Sequence, residues 1–258
     1  MKTPFKRRVQ SIIVVASVLI SLTINAQNNA KNKTTEILQP LPQDLEIQIA
    51  LSALPPHLRD SATVYTLNPD KGFEIIRSGT NGFHAFVART GEDAMRGSWP
   101  LTTYRDDILY PISFDNAGAE SQMQVFFDIA AMQAKGIPSE EVKLTIQRRY
   151  KTHYYKPASR MGISYMLSPI QRTYNNPDEN QEVSTLSIPH VMYFAPHIKN
   201  EDIGGGKPGG TYPFVILHGA HGYMIQLVGK HEKERIKQHY KKMLTRLCQI
   251  NSKWCLPE

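Results

Sequence analysis

Strand-like segments that occur in groups constrain the fold of this chain most. The first group comprises residues 62–67, 73–77 and 82–89, which are short and rich in β-branched and aromatic side chains. Turn-forming sequences at 68–72 and 78–81 separate these segments. We therefore predict that the three segments form an antiparallel meander.

A second group of strand-like segments follows later in the chain, at residues 162–167, 190–195, 212–218 and 222–228. A polar excursion at 173–185 interrupts this group. Strands that follow one another in groups, rather than alternating singly with helices, favour an α+β fold over a doubly wound parallel sheet. We predict an antiparallel sheet built from hairpins.

Helical patterns lie before, between and after these groups. The clearest spans residues 119–135, where apolar side chains recur at helical spacing, and a second helix begins at Ser139. An earlier helix at 43–54 ends at two prolines, and a last helix spans 232–248. The prediction is thus a central helix pair and a C-terminal helix. Residues 90–118 show no clean periodicity and are expected to form an irregular connection.

The first 26 residues have the charged, apolar, small-residue order of a secretory signal peptide. The apolar run at 12–22 is shorter than the ~20 residues that span a bilayer. We expect cleavage near Ala26, an exported protein in the periplasm or outside the cell, and no stable membrane insertion afterwards. No cysteine stands near the predicted cleavage point, so a lipoprotein is not expected. The alternative is an uncleaved anchor.

The predicted domain organisation follows from these patterns. A flexible lead-in at 27–40 precedes a single α+β domain at 41–230, and the C-terminal helix and tail at 231–258 pack on that domain. The full chain has a net charge of +7, which falls to +3 without the four basic residues of the predicted leader. Composition therefore gives no reason to expect a nucleic-acid partner.

The chain has only two cysteines, Cys248 and Cys255, which are a candidate disulfide in an oxidising compartment. Closing so short a loop would contribute about 2–3 kcal/mol. Two free thiols are the alternative, because sequence does not supply the geometry that a disulfide needs.

Two histidines, His218 and His221, flank Gly219 and Ala220 between apolar strand-like runs. A two-residue hairpin turn would place the histidines directly opposite each other, with Cβ atoms ~5 Å apart. Two imidazoles so placed can share a divalent metal, although such a site needs further ligands. Candidates for those ligands are His190, His197, Glu201 and Asp202. The alternative is a solvent-exposed pair that closes the hairpin.

Three further patterns have both a structural and a functional interpretation. The glycine-rich segment 204–210 lacks the Gly-Lys-Ser/Thr of a phosphate loop, so it is a flap or a linker. The basic and aromatic segment 148–156 is either an anion-binding surface or a helix end with packed tyrosines. The acids Asp106, Asp107 and Asp115 are candidates for acid–base chemistry, although no hydrolase motif accompanies them.

The stretches 50–60, 79–83, 165–169 and 189–196 have the sequences ALSALPPHLRD, GTNGF, YMLSP and PHVMYFAP. They resemble a functionally uncharacterised family of bacterial exported proteins that carry a signal peptide. The resemblance covers most of 45–228 and implies export and a shared fold, but no activity.

The family pattern has histidines that match His190 and His221. The resemblance therefore directs attention to His190, His221, Asn81 and Arg59 as members of one cleft. Our first hypothesis is an exported protein that binds a small polar or anionic molecule there. The alternatives are a metal-assisted enzyme of unassigned class and a structural or interaction protein of the envelope. The cofactor and the oligomeric state stay open.

Overall fold

The computed structural model describes residues 38, 40–90, 105–175 and 182–257. The predicted signal peptide and most of the predicted lead-in lie outside the described residues. Within the described ranges, no helix combines the length and apolarity that crossing a membrane requires.

Ten strands and five main helices make up the described part of the chain. The strands are β1 Thr63–Asn68, β2 Gly72–Arg77, β3 His84–Ala88, β4 Tyr110–Phe114, β5 Gly162–Met166, β6 Gln171–Tyr174, β7 Val183–Leu186, β8 His190–Phe194, β9 Phe214–Leu217 and β10 Tyr223–Leu227. The helices are α1 Gln43–Ser52, α2 Gln124–Ala134, α3 Ser139–Lys151, α4 Lys230–His239 and α5 Lys241–Ile250. Short 3₁₀ turns occupy Pro56–Leu58, Glu201–Ile203 and Ser252–Trp254. The predicted α+β class and central helix pair are confirmed.

The first sheet has the strand order β2-β1-β3-β4. Strands β1 and β2 form the predicted hairpin, but β3 pairs with β1, and in parallel. The predicted meander is therefore wrong. The reason lies in the 78–83 connection, where the backbone amides of Thr80 and Asn81 both donate to the carbonyl of Ser61. The chain thus returns past the start of β1, so β3 runs beside β1 in the same direction.

Gly79 allows this return, because the backbone passes very close to β1. A Cβ atom at Gly79 would lie only 2.3 Å from the backbone nitrogen of Thr63. The hydroxyl of Thr63 also accepts a hydrogen bond from the amide of Gly79, at 3.0 Å. The crossing of the two segments therefore requires glycine at this position.

The second sheet has the order β5-β8-β10-β9, with every neighbouring pair antiparallel. It contains the four segments of the second predicted group. Strands β6 and β7 form a separate two-stranded sheet at the two ends of the segment predicted as a polar excursion, of which residues 176–181 lie outside the described residues. Residues 91–104 of the irregular connection predicted at 90–118 lie outside the described residues, and the rest of it includes β4, which pairs with β3 in an antiparallel manner.

Ser113 and Asp115 connect the two larger sheets. The hydroxyl of Ser113 donates to the carbonyl of Tyr165 at 2.8 Å and accepts from the amide of Tyr165 at 3.2 Å. The amide of Asp115 donates to the carbonyl of Ile163 at 2.9 Å. Strands β4 and β5 are thereby held side by side.

The core has two main layers, one on each face of the first sheet. Phe86 packs in the core layer that contains the aromatic side chains of α2. Ala85 and Val87 pack in the other layer, with α1 and α5. Successive residues of a strand point to opposite faces, so both faces of β3 are buried. This double burial explains the continuous apolar run of β3.

The predicted C-terminal helix is divided at Tyr240 into α4 and α5. The apolar side of α5, including Met243 and Leu247, packs in the same core layer as α1. After α5, the sulfur atoms of Cys248 and Cys255 lie at disulfide-bonding distance, with Cα atoms 4.5 Å apart. This geometry agrees with the predicted disulfide.

Candidate functional site

A groove lies between the loop that follows α1 and the exposed side of α4. About 370 Å³ of space outside the protein atoms lies in the groove, and this volume includes open solvent. The lining residues are Pro56, Arg59, Leu167, Glu232, Arg235, Ile236, His239 and Tyr240. The groove therefore combines charged side chains with an apolar wall.

Hydrogen bonds fix the loop that carries Arg59. Prolines end α1 and open the 3₁₀ turn, and the amide of Leu58 donates to the carbonyl of Pro55 at 3.0 Å. The side-chain amide of Asn81 donates to the carbonyl of Leu58 at 2.7 Å. The guanidinium of Arg77 donates to the carbonyl of Arg59. These hydrogen bonds of backbone and side chain thus hold one wall of the groove in place.

Arg59 is the central cation of the groove. Its Nε donates to the carbonyl of Leu54 at 2.9 Å, and its guanidinium carbon lies 5.4 Å from the ring centroid of Tyr240. No carboxylate in the described ranges forms an ion pair with Arg59. The Nε hydrogen bond leaves Nη1 and Nη2 as a pair of donors for a planar anionic group.

The opposite wall presents a second arginine that is already neutralised. The Nε and Nη2 atoms of Arg235 donate to the two carboxylate oxygens of Glu232, at 2.6 and 2.5 Å. The hydrogen bond and charge of Arg235 hold the pKa of Glu232 below its usual range. One uncompensated arginine charge, that of Arg59, therefore remains in the groove.

The ring of Tyr240 packs against the guanidinium of Arg59. The residue is buried, and its ring packs edge-to-face with that of His239, with centroids 4.7 Å apart. Burial raises the pKa of Tyr240, although the charge of Arg59 opposes that rise. A neutral aromatic ring in contact with a cation contributes a cation–π attraction that orients the guanidinium.

His190 lies behind the groove rather than in its lining. The side chain is buried, and its Nδ1 donates to the carbonyl of Ile188 at 2.7 Å. Burial lowers the pKa of His190, so the imidazole is neutral near neutral pH. Its strand partner Met166 directly precedes Leu167, which lines the groove. His190 thus supports the strand end next to the groove.

His221 lies at the other end of the second sheet. His190 pairs with Leu227, which lies six residues beyond His221 along β10 and its preceding turn. The structure therefore does not bring His190 and His221 into one cleft with Asn81 and Arg59. His190 begins β8, whereas His221 lies in the turn before β10, at the opposite end of this strand pair, so their separation follows from strand length.

The surroundings of His221 are aromatic. Its ring packs edge-to-face against Tyr150, with centroids 5.2 Å apart. Burial lowers the pKa of His221, although a hydrogen bond with the backbone of Tyr155 opposes that effect. Its Nδ1 atom is buried and has no hydrogen-bond partner within the described ranges. These features favour a neutral imidazole.

The predicted two-residue turn between His218 and His221 is wrong. Leu217 pairs with Tyr223, so the connection comprises the five residues 218–222. The amide of Gly222 donates a hydrogen bond to the carbonyl of Gly219. The backbone of Gly219 has a φ of +88°. The histidines are therefore not the opposing pair on which the metal hypothesis depended. Among the residues that the structure describes, no group of three or more His, Cys, Asp or Glu side chains is arranged to hold a metal.

The candidate acids have structural partners. The carboxylate of Asp107 bonds to Arg105 and Arg172, and that of Asp115 accepts hydrogen bonds from the amides of Gly118 and Ile163. Asp106 contributes a backbone carbonyl that accepts from a buried arginine side chain. These contacts hold loops and helix ends in place.

The basic and aromatic segment at 148–156 also packs on its own helix pair. Arg149 lies over the ring of Tyr154 and forms an ion pair with Asp128. The carboxylate of Asp128 also accepts a hydrogen bond from the hydroxyl of Tyr155 at 2.9 Å.

The glycine-rich segment 204–210 does not line the groove. Within it, the amide of Gly206 donates a hydrogen bond to the carbonyl of Pro213.

The wall formed by α4 was missed by sequence reasoning. The 232–248 pattern indicates a helix with a charged outer face, and such faces are usually solvated. The one available signal is Arg235 and His239, which are four residues apart and so lie on one side of a helix. Nothing in the sequence places that side next to Arg59.

Comparisons of the chain with models of protein families, with curated proteins and with solved structures find no match.

Proposed function

We propose that this chain is an exported protein that binds a small ligand through an anionic group, and that Arg59 is the main contact of that group. The signal-peptide pattern in residues 1–26 supports the export part of the proposal. The resemblance to exported proteins supports it as well.

The surroundings of Arg59 support the proposal that the protein binds a ligand through an anionic group. A half-buried guanidinium oriented by one carbonyl and one aromatic ring, in a groove without a carboxylate partner for it, provides a preformed site for an anion. Preorganisation matters because little conformational entropy is then lost when the ligand binds. Concave sites with apolar walls and few polar groups are also typical of small-molecule binding.

The proposal predicts that Arg59→Gln weakens anion binding by about tenfold or more. The probes are hexanoate, succinate and inorganic phosphate, each titrated into the purified protein and followed by calorimetry and by chemical shifts of groove residues. At least one probe should bind saturably to the unchanged protein. Arg59→Lys should also bind more weakly, because an ammonium group cannot present two coplanar donors.

Arg160→Gln is the matched control, because Arg160 is exposed, carries the same charge and does not line the groove. It should bind the probes as the unchanged protein does. Circular dichroism should show that both Arg59 variants are folded. The proposal is wrong if no probe binds saturably, or if folded Arg59→Gln binds as tightly as the control.

A further inference from the structure

We infer that the groove selects ligands with a single negative charge and an apolar body, and that Glu232 sets this selectivity by neutralising Arg235. The inference rests on the proposed function and defines its ligand class.

The charges of the groove favour a monoanion. Arg59, Arg235 and Glu232 are the lining residues with permanent charge near neutral pH, and they sum to one positive charge. A ligand with one negative charge neutralises this sum. A dianion has one charge without a cationic partner in the groove, so its second charge gains little from binding there.

The remaining lining favours an apolar ligand body. Pro56, Leu167, Ile236 and the ring of Tyr240 present carbon surface toward the same space. Burying a hydrocarbon chain or ring against these groups gains free energy in proportion to the apolar area removed from water. Inorganic phosphate has no such area. A small amphipathic carboxylate therefore satisfies both parts of the groove.

Glu232 controls the second arginine through a contact within α4. The two residues are three apart, so they lie on the same side of the helix, and their bidentate geometry uses both carboxylate oxygens. Without the carboxylate, the guanidinium of Arg235 has no such partner and the groove has two uncompensated arginines. Glu232 thus acts as a specificity-determining residue, whereas Arg59 contacts the anionic group directly.

The test compares hexanoate, succinate and inorganic phosphate on the unchanged protein and on Glu232→Gln. Slightly alkaline pH keeps imidazoles neutral and makes succinate and most phosphate dianionic. We expect hexanoate to bind most tightly to the unchanged protein. In Glu232→Gln, succinate and phosphate should bind about two- to fivefold more tightly, relative to hexanoate, than in the unchanged protein.

The chain offers a close control in Glu234→Gln. Glu234 pairs with Lys237 three residues later on the same helix, at 3.2 Å, but neither residue lines the groove. This variant removes the same charge from α4 and should leave the order of the three ligands unchanged.

The outcomes separate the inference from the proposed function. Saturable binding of phosphate or succinate that equals or exceeds that of hexanoate, and that depends on Arg59, overturns the inference and leaves the proposed function standing. Equal effects of Glu232→Gln and Glu234→Gln overturn the role assigned to Glu232. Absence of saturable binding by all three ligands overturns both proposals.

Discussion

Replacing Asp107 with asparagine is expected to lower the free energy of unfolding by about 3–5 kcal/mol. Asp107 is 1% exposed, and one of its carboxylate oxygens accepts hydrogen bonds from Nε and Nη2 of Arg172, at 3.0 and 2.8 Å. Arg172 is itself only 9% exposed. Removing the carboxylate charge therefore leaves a buried guanidinium without its counter-charge.

Asp107 joins three parts of the chain that are distant in sequence. Arg105 precedes it, Arg172 belongs to β6, and the C-terminal turn contributes Lys253 and Trp254. The indole of Trp254 donates to the backbone carbonyl of Asp107 at 2.8 Å. The substitution should therefore loosen the β6–β7 hairpin and the tail together.

Urea denaturation of the unchanged protein and of Asp107→Asn measures this effect. Asp44→Asn is the control, because its pair with Arg246 is exposed and screened by solvent, so its loss should have a much smaller effect than that of Asp107→Asn. Asp107→Asn combined with Arg172→Met should recover part of the loss, since the unpaired guanidinium is then absent. A loss below about 1 kcal/mol in Asp107→Asn would contradict the assigned role.

Asp107 should also make the free energy of unfolding sensitive to acid. Burial alone would raise the pKa of Asp107, but hydrogen bonds and charges from Arg105 and Arg172 outweigh burial and hold that pKa at about 2. A carboxyl group with a lowered pKa in the folded state contributes stability above its unfolded pKa. This contribution should decline as the pH falls from about 4 toward 2.

Replacing Glu46 with glutamine is expected to stabilise the protein at alkaline pH by up to about 3 kcal/mol. Glu46 is 2% exposed, and its carboxylate accepts the amide of Leu67 at 2.8 Å. Burial raises its pKa from 4.5 to about 7, although the hydrogen bond from Leu67 and the charge of Arg89 oppose the rise. Glutamine keeps an oxygen that can accept from Leu67 and carries no charge to desolvate.

The sign of the pH dependence follows from the direction of the pKa shift. Between about 4.5 and 7, the folded protein retains a proton on Glu46 that the unfolded chain has lost. The contribution of Glu46 is therefore fully present below pH 4.5 and is lost as the pH rises through about 7. Glu46→Gln should lack this dependence.

Unfolding free energies of both proteins across this pH range measure the effect. His190 and His221 have lowered pKa values, so their contributions are lost as the pH falls below the ordinary value of 6.5, with the opposite sign. The relevant quantity is therefore the difference between unchanged protein and Glu46→Gln at each pH, in which the histidine contributions cancel.

Glu74→Gln is the control, because Glu74 is exposed and hydrogen-bonded to Asn68 and Lys71, so its pKa is lowered rather than raised. It should retain the pH dependence due to Glu46. A pH-independent difference between the unchanged protein and Glu46→Gln would contradict the assignment of this carboxyl group.

Much of the fold could be predicted because short-range patterns specify it. The helical spacing before Pro55, the apolar spacing through α2 and the start of α3 at Ser139 depend on residues three or four positions apart. The strand segments of the second sheet depend on alternation between neighbours. Such patterns act within one element, so most elements and the α+β class follow from short-range sequence patterns.

Pairing between elements was decided by the tertiary structure. Strand β3 lies beside β1 because the carbonyl of Ser61 accepts the amides of Thr80 and Asn81, a contact without a local sequence pattern. Strand β6 is polar, and it is buried because Arg172 reaches Asp107, which lies 65 residues earlier. No local pattern distinguishes such a strand from a polar loop.

The candidate site shows the same division. The resemblance directed attention to Arg59 and Asn81, and the structure has Arg59 in one groove wall and Asn81 in the contact that supports it. The resemblance also grouped His221 with them, although the length of β10 separates His221 from that wall. Glu232 and Tyr240 line the groove because α4 packs next to the loop that follows α1. That packing results from the burial of apolar surface between segments distant in sequence, which short-range periodicity does not encode.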